Sequence, residues 1–394
     1  MTTHANFTIA ARATGSAAIA LGLLLTACDG GAGQRGDHGD DDPGAGIVTL
    51  GADDGSSSDD GSSSGDDGSS SDDGAVLGCG EIEVAVAPST PQVMLVLDKS
   101  HSMVTNRWDH DGDAATPSVT RWHSLHDVVA DVVTDFADGS LDLGALLFPS
   151  VALVDNDVAT ACTVPAAPDV AVAADNADAI LAALPDADST AIWGGTPTAA
   201  AIATAAAQLR QLDAAMPRAL VLVTDGAANC MDGVSEAETF THYDDTLAPL
   251  VRSIHDEDGI PTYVVGIDIV DQTVDVPVAN PFERLSEVAI AGGVARDGAE
   301  PFFNARDENE LGDALSAIAS SLQCELALEG LPADPARVHL RLGDTELSHS
   351  ADCSDAGGWR YAGTDGAVQL CAASCDDFAA AGTMHAAFDC VPEK

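Results

Sequence analysis

Uninterrupted apolar runs at residues 93–97 (Val-Met-Leu-Val-Leu) and 219–223 (Ala-Leu-Val-Leu-Val) constrain the fold of this chain more than any other feature. A strand with one face in water alternates apolar and polar residues. A run without that alternation must be covered on both faces. Similar runs stand at 141–148, 262–269 and 301–304, and helical patterns fill 124–137, 174–184, 197–212, 246–258, 281–291 and 308–322. Strands alternating with helices predict an α/β fold, a doubly wound and mostly parallel sheet with helices on both faces. Such sheets bind ligands beyond the carboxyl ends of their strands.

Polar segments at those ends carry the candidate site. Asp98-Lys99-Ser100-His101-Ser102 follows the first run, and Thr224-Asp225-Gly226 closes the second. Gly194-Gly195-Thr196-Pro197-Thr198 opens an alanine-rich helical stretch. Pro197 is expected just inside that helix, where a missing amide costs nothing. Asp98, Ser100, Ser102, Thr196 and Asp225 offer the hydroxyls and carboxylates that a hard divalent cation takes. In this order and spacing the three segments resemble the metal-ion-dependent adhesion site of the von Willebrand factor type A family, over residues 91–323. The resemblance implies a Rossmann-like fold, hydroxyl ligands from Ser100, Ser102 and Thr196, and Asp98 and Asp225 acting directly or through water. It implies Mg²⁺ as the cation, with Ca²⁺ or Mn²⁺ as alternatives, and an open coordination position for an acidic group on a partner. His101 stands where the family often has glycine, which predicts a less relaxed first turn.

Residues 1–27 read as a targeting segment: Arg12, then an apolar stretch over 17–25 that is too short to span a bilayer comfortably. Leu25-Thr26-Ala27-Cys28 resembles a bacterial lipobox, which implies cleavage before Cys28 and lipid on its thiol. An ordinary signal peptide with an incidental cysteine is the alternative. Residues 28–78, rich in Asp, Gly and Ser, have too little apolar surface to offset ordering entropy and read as a disordered linker. Nine cysteines less Cys28 leaves eight, an even number that in an exported chain predicts four disulfides. Topology favours Cys162–Cys230 near the metal face and Cys79–Cys324 toward the opposite one. Cys353, Cys371, Cys375 and Cys390 would then pair among themselves, although sequence leaves the connectivity open. Short strand-like runs at 325–328, 337–341 and 368–371 make residues 324–394 a small disulfide-stapled β module, with the type A-like domain over 79–323.

With 15 basic against 64 acidic residues and a formal charge of −49, nucleic acid is not expected as a partner. Acidic membrane surfaces are repelled as well, so membrane contact is expected through a lipid anchor only. Asp109, Asp111 and Asp113 stand two apart, as in calcium loops, and mark a candidate second cation site; a solvated acidic insertion is the other reading. Ala114 and Thr120 occupy the positions where an EF-hand needs Gly and Glu. His101, His123 and His126 lack the His-Glu-x-x-His arrangement of a catalytic zinc site. No Gly-x-Ser-x-Gly elbow stands outside the low-complexity residues 28–78, and no Lys-containing phosphate loop occurs, so the chain is not expected to be an enzyme. The expected function is cation-dependent binding of a protein or glycan partner from the bacterial envelope, on its surface or periplasmic face. An envelope scaffold or assembly subunit with a fold-stabilising metal site is the alternative, and a metal-dependent hydrolase a third.

Overall fold

The computed structural model describes residues 81–86, 89–137, 139–150, 158–189, 191–214, 216–328, 331, 333–353, 357–362 and 367–389. The expected targeting segment, the linker, Cys28, Cys79 and Cys390 lie outside them. The elements up to the C-terminal module are β1 (Glu81–Val86), β2 (Gln92–Asp98), α1 (Ser102–Thr105), α2 (Arg121–Asp135), β3 (Asp142–Phe148), β4 (Val170–Ala173) and α3 (Ala177–Ala183). They continue with α4 (Thr198–Leu209), β5 (Arg218–Thr224), α5 (Leu247–Asp258), β6 (Thr262–Ile267), α6 (Pro281–Ala291), β7 (Phe303–Ala305) and α7 (Glu308–Gln323).

Six of these strands form one sheet in the order β7-β6-β5-β2-β3-β4, parallel throughout except for the edge strand β4. The doubly wound sheet expected from the apolar runs is therefore present. Its cause is visible along β2, where successive side chains point to opposite faces. Val93, Leu95 and Leu97 pack with α2, α3 and α7, while Met94 and Val96 pack with α4, α5 and α6. Neither face reaches water, so no position in the run tolerates a polar residue until Asp98.

Helix ends follow local chemistry. The hydroxyl of Thr120 accepts the His123 amide at 3.1 Å, so α2 begins at Arg121 rather than at the expected 124. Asn280 and Asp307 cap α6 and α7 in the same way. Pro197 is the cap residue of α4 rather than its first helical residue. Strand β4 was not legible in the sequence; its four residues alternate at the sheet edge instead of forming an apolar run.

Past α7 come β8 (Glu325–Ala327), β9 (Val338–Leu342), β10 (Thr345–Leu347), β11 (Trp359–Ala362), β12 (Ala367–Leu370), α8 (Ala372–Ala381) and β13 (Met384–Asp389). Strands β8-β12-β11 make one small sheet and β1-β13-β9-β10 another. Trp359, Phe378, Leu340 and Met384 are buried in the core of this part. Strand β1 pairs antiparallel with β13 along its whole length, so a segment expected to head the α/β part completes the C-terminal sheet.

That pairing goes with a correction to the disulfides. Cys324 bonds Cys375, and Cys353 bonds Cys371, so neither the expected Cys79–Cys324 bridge nor a closed set among the last four cysteines forms. The reason is the return of the chain: β8 leaves α7 at Cys324 and pairs with β12, and the Leu370 amide donates to the Cys324 carbonyl at 2.9 Å. Helix α8 starts right after β12 and carries Cys375 back to Cys324. The bridge closes a loop across a sequence separation of 51 residues. Chain-entropy arguments make that worth about 4 kcal/mol. Cys324→Ala/Cys375→Ala should therefore lose about that much in urea unfolding of the oxidised protein; a loss under 1 kcal/mol would show that the module does not depend on the bridge.

Candidate metal centre

The three motif segments meet beyond the carboxyl ends of β2 and β5, the two central, adjacent strands. Asp98 is the last residue of β2 and fully buried. Its Oδ1 accepts the Ser100 amide at 2.7 Å and its Oδ2 accepts the Thr224 hydroxyl at 2.6 Å. Ser100 and Ser102 share a hydrogen bond of 2.9 Å between their hydroxyls. The Ser102 hydroxyl donates to Asp225 Oδ1 at 2.6 Å. One chain of oxygens thus runs Ser100, Ser102, Asp225, with Asp98 anchored beneath it.

Thr196 is brought in from the other side. Its amide donates to Asn229 Oδ1 at 2.7 Å, and the Asn229 amide donates to the Thr196 carbonyl at 3.0 Å. The disulfide Cys162–Cys230 fastens the Asn229 loop to the segment whose Ala161 carbonyl accepts the Gly195 amide at 3.0 Å. Glycine is required here: a Cβ on Gly195 would lie 2.5 Å from Cys230 Sγ, and Gly194 has φ +116° with a Cβ position 2.6 Å from Pro149. The four residues Ser100, Ser102, Thr196 and Asp225 line one cleft of about 790 Å³.

His101 does not strain the first turn. Its backbone is right-handed helical (φ −62°, ψ −30°), a conformation any residue adopts, so glycine has no advantage there. Its ring packs on Trp193 with centroids 4.0 Å apart, and its amide donates to the Gly194 carbonyl at 3.1 Å.

The electrostatics centre on two carboxylates of like sign. Burial, then the nearby Asp225 charge, pushes Asp98 up from 3.8 to about 7, against the lowering effect of its bonds from Thr224 and Ser100. Asp225 is met by a residue that sequence reasoning passed over. Arg121 donates to Asp225 Oδ2 at 3.0 Å and to Asp268 Oδ2 at 2.7 Å, with Asn106 adding a 3.3 Å bond to Asp225 Oδ2. Asp268 had a readable signature: it follows β6 directly, as Asp225 follows β5. Arg121 had none, because it falls in the three residues by which α2 starts early.

The donor set fits a hard divalent cation. It is all oxygen, and positive charge between Asp98 and Asp225 would relieve the repulsion that raises Asp98. The candidate second site is not assembled. Asp111 Oδ1 accepts the Asp113 amide and the Thr116 hydroxyl, and Asp113 Oδ1 accepts the Ala115 amide, so these carboxylates close local turns. Among the described residues no three His, Cys, Asp or Glu side chains form a group able to hold a metal ion. His123 and His126 pair instead with Asp188 and Asp127.

Comparison of the sequence with family models and with curated proteins finds no match. Similar solved structures include the PilB minor pilin from Streptococcus sanguinis (16% identity, TM-score 0.39, covering 60% of this chain and 62% of that one). The pilus adhesin SpaC from Lactobacillus rhamnosus GG is another, at 12% identity and a TM-score of 0.43, covering 78% of this chain and 41% of that one. A von Willebrand factor type A protein from Catenulispora acidiphila aligns at 12% identity and a TM-score of 0.36, covering 80% of this chain and 62% of that one. The chain thus spans less than two thirds of each of these relatives. The fold is von Willebrand factor type A-like, and that reading rests on its own strand order and crossovers.

Two outcomes follow for cation-free protein. Asp98 binds more protons folded than unfolded between pH 4 and 7, so its contribution to stability is present at low pH and is lost as pH rises toward 7. Urea unfolding in EDTA should therefore show a fall in stability over that range that Asp98→Asn makes shallower; parallel profiles would contradict it. Arg121→Ala leaves the buried Asp225 carboxylate without its guanidinium and should cost about 3 kcal/mol in EDTA, partly regained in Mg²⁺. Equal loss in both buffers would show that no cation replaces the arginine.

Proposed function

We propose that this protein is an exported envelope lipoprotein that binds a partner through a divalent cation held by Asp98, Ser100, Ser102, Thr196 and Asp225. The observation that carries the reading is the convergence of three distant segments, each at a strand or helix end, on one cleft. A bound Mg²⁺, or Ca²⁺ or Mn²⁺, would supply an open coordination position for a carboxylate of a protein or glycan partner. The residues of the chain do the rest: Thr224 and the Ser100 amide orient Asp98, and Arg121 and Asn106 orient Asp225.

Binding is favoured over catalysis by how the hydroxyls are used. Ser100 and Ser102 bond to each other and Ser102 to Asp225, and the nearby imidazole of His101 packs at a tilt against Trp193 rather than being placed as a base. The lipobox-like Cys28 supports anchoring at the head of an Asp-, Gly- and Ser-rich segment, and the formal charge of −49 makes any acidic partner a local, metal-bridged one. No helix among the described residues is long and apolar enough to cross a membrane.

A second reading, an envelope scaffold with a fold-stabilising site, is favoured by the same closed hydrogen-bond network. Thermal unfolding of the full oxidised chain separates the two when combined with a partner assay. At one hundred times its Kd a cation adds about 2.7 kcal/mol, a rise of several degrees for a domain this size. The adhesion reading expects that rise in wild type, its absence in Asp98→Ala, and loss of envelope-partner capture in Asp225→Ala. A rise in midpoint with no cation-dependent partner would move the assignment to the scaffold.

A further inference from the structure

Among the described residues, the exposed large apolar side chains are Val270, Val276, Val278 and Ile290, and three of these four lie on one segment that follows β6. Val276 and Val278 are 62% and 63% exposed. The segment is a hairpin, with Val274–Asp275 paired to Val278–Ala279, and it is held in place rather than loose. Its Val278 amide donates to the Thr241 carbonyl at 2.8 Å, and Asn280 Nδ2 donates to Asp271 Oδ1 at 2.7 Å. At its base Arg121 grips Asp268 while also gripping Asp225. The hairpin and the oxygen site are thus fixed to one guanidinium. Val270, Val274 and Val276 line the same cleft as Ser100, Ser102 and Asp225.

The charge of that cleft differs from the rest of the chain. Its ionised lining residues are Arg107 and Arg121 against Asp225 and Asp268, which sum to zero with His101 neutral. The whole chain carries −49. Any divalent cation held at the site would make this cleft locally positive, so a carboxylate is admitted here while the rest of the surface repels it. Beside that point stands a row of branched aliphatic side chains. Branched aliphatics pack on other aliphatics, which polypeptide side chains supply beside a carboxylate.

We infer that residues 270–276 form a specificity wall, and that the partner is a polypeptide segment carrying a carboxylate flanked by aliphatic side chains. The inference rests on the cation-site reading above. It adds the identity of the partner's class and assigns a role to Val270, Val274 and Val276.

The test uses the purified full chain and fluorescein-labelled pentapeptides followed by polarisation in Mg²⁺. The peptides are Gly-Leu-Asp-Leu-Gly, Gly-Gly-Asp-Gly-Gly and Gly-Leu-Asn-Leu-Gly. Burying one aliphatic side chain is worth about tenfold in affinity, so the Leu-Asp-Leu peptide should bind at least about tenfold tighter than Gly-Asp-Gly. V270S/V276S should reduce that preference to less than about twofold, with circular dichroism and thermal midpoint reporting whether the variant is folded. Leu-Asn-Leu should bind weakly, and EDTA should remove the advantage of Asp over Asn. Equal affinity of the first two peptides, a preference that survives V270S/V276S, or no binding by any peptide would overturn the proposal. If Leu-Asn-Leu matches Leu-Asp-Leu and EDTA has no effect, the wall stands and the cation reading fails. Self-association of wild type that V270S/V276S abolishes, seen by sedimentation, would assign the wall to a second copy and overturn the peptide proposal.

Discussion

Two carboxylates at the ends of adjacent parallel strands, Asp98 and Asp225, set the terms for everything around them. Both are almost wholly buried, and burial of like charges is costly unless each is compensated. The fold compensates them unequally. Asp225 has a guanidinium, an amide and a hydroxyl, whereas Asp98 has a hydroxyl and a backbone amide and is pushed up to about 7. The unequal treatment leaves Asp98, even with the field of the neighbouring Lys99, as the carboxylate whose charged form a bound cation would favour most.

The surrounding structure holds that arrangement by brackets from several elements. Helix α2 supplies Arg121 at its first residue, the loop after β5 supplies Asn229 to fix Thr196, and Cys162–Cys230 ties that loop to the segment on which Gly195 is hydrogen-bonded. Arg121 also reaches Asp268, so the hairpin after β6 is bound to the same point. A displacement of the Arg121 side chain would therefore disturb both the oxygen site and the apolar wall. Energetic coupling between the two is expected from that shared residue.

The sheet was legible because its strands are buried on both faces and lose all alternation; residues 93–97 and 219–223 admit no other placement. Asp98, Ser100, Ser102, Thr196 and Asp225 were legible because strand ends and a helix start fix where they stand. Strand β4 was not, since an edge strand needs no apolar run, and β1 was not, since its partner β13 lies some three hundred residues away. Arg121 and Asn106 reach Asp225 through tertiary geometry alone, more than one hundred residues apart in sequence. The Cys324–Cys375 bridge followed from the pairing of β8 with β12, a register that composition does not encode. The expectation of strain at His101 failed for a local reason: the turn there is right-handed and needs no glycine.

The most direct test of the central claim is a Mn²⁺ titration of the full chain, with free ion followed by electron spin resonance. Wild type is compared with D98N, and with D109N/D111N/D113N. The account predicts one saturable site per chain that D98N removes and the triple substitution leaves intact, above a weak background from the acidic leader common to all three. Identical Mn²⁺ binding by wild type and D98N would contradict it, and would mean that the convergence of the three segments serves the fold alone.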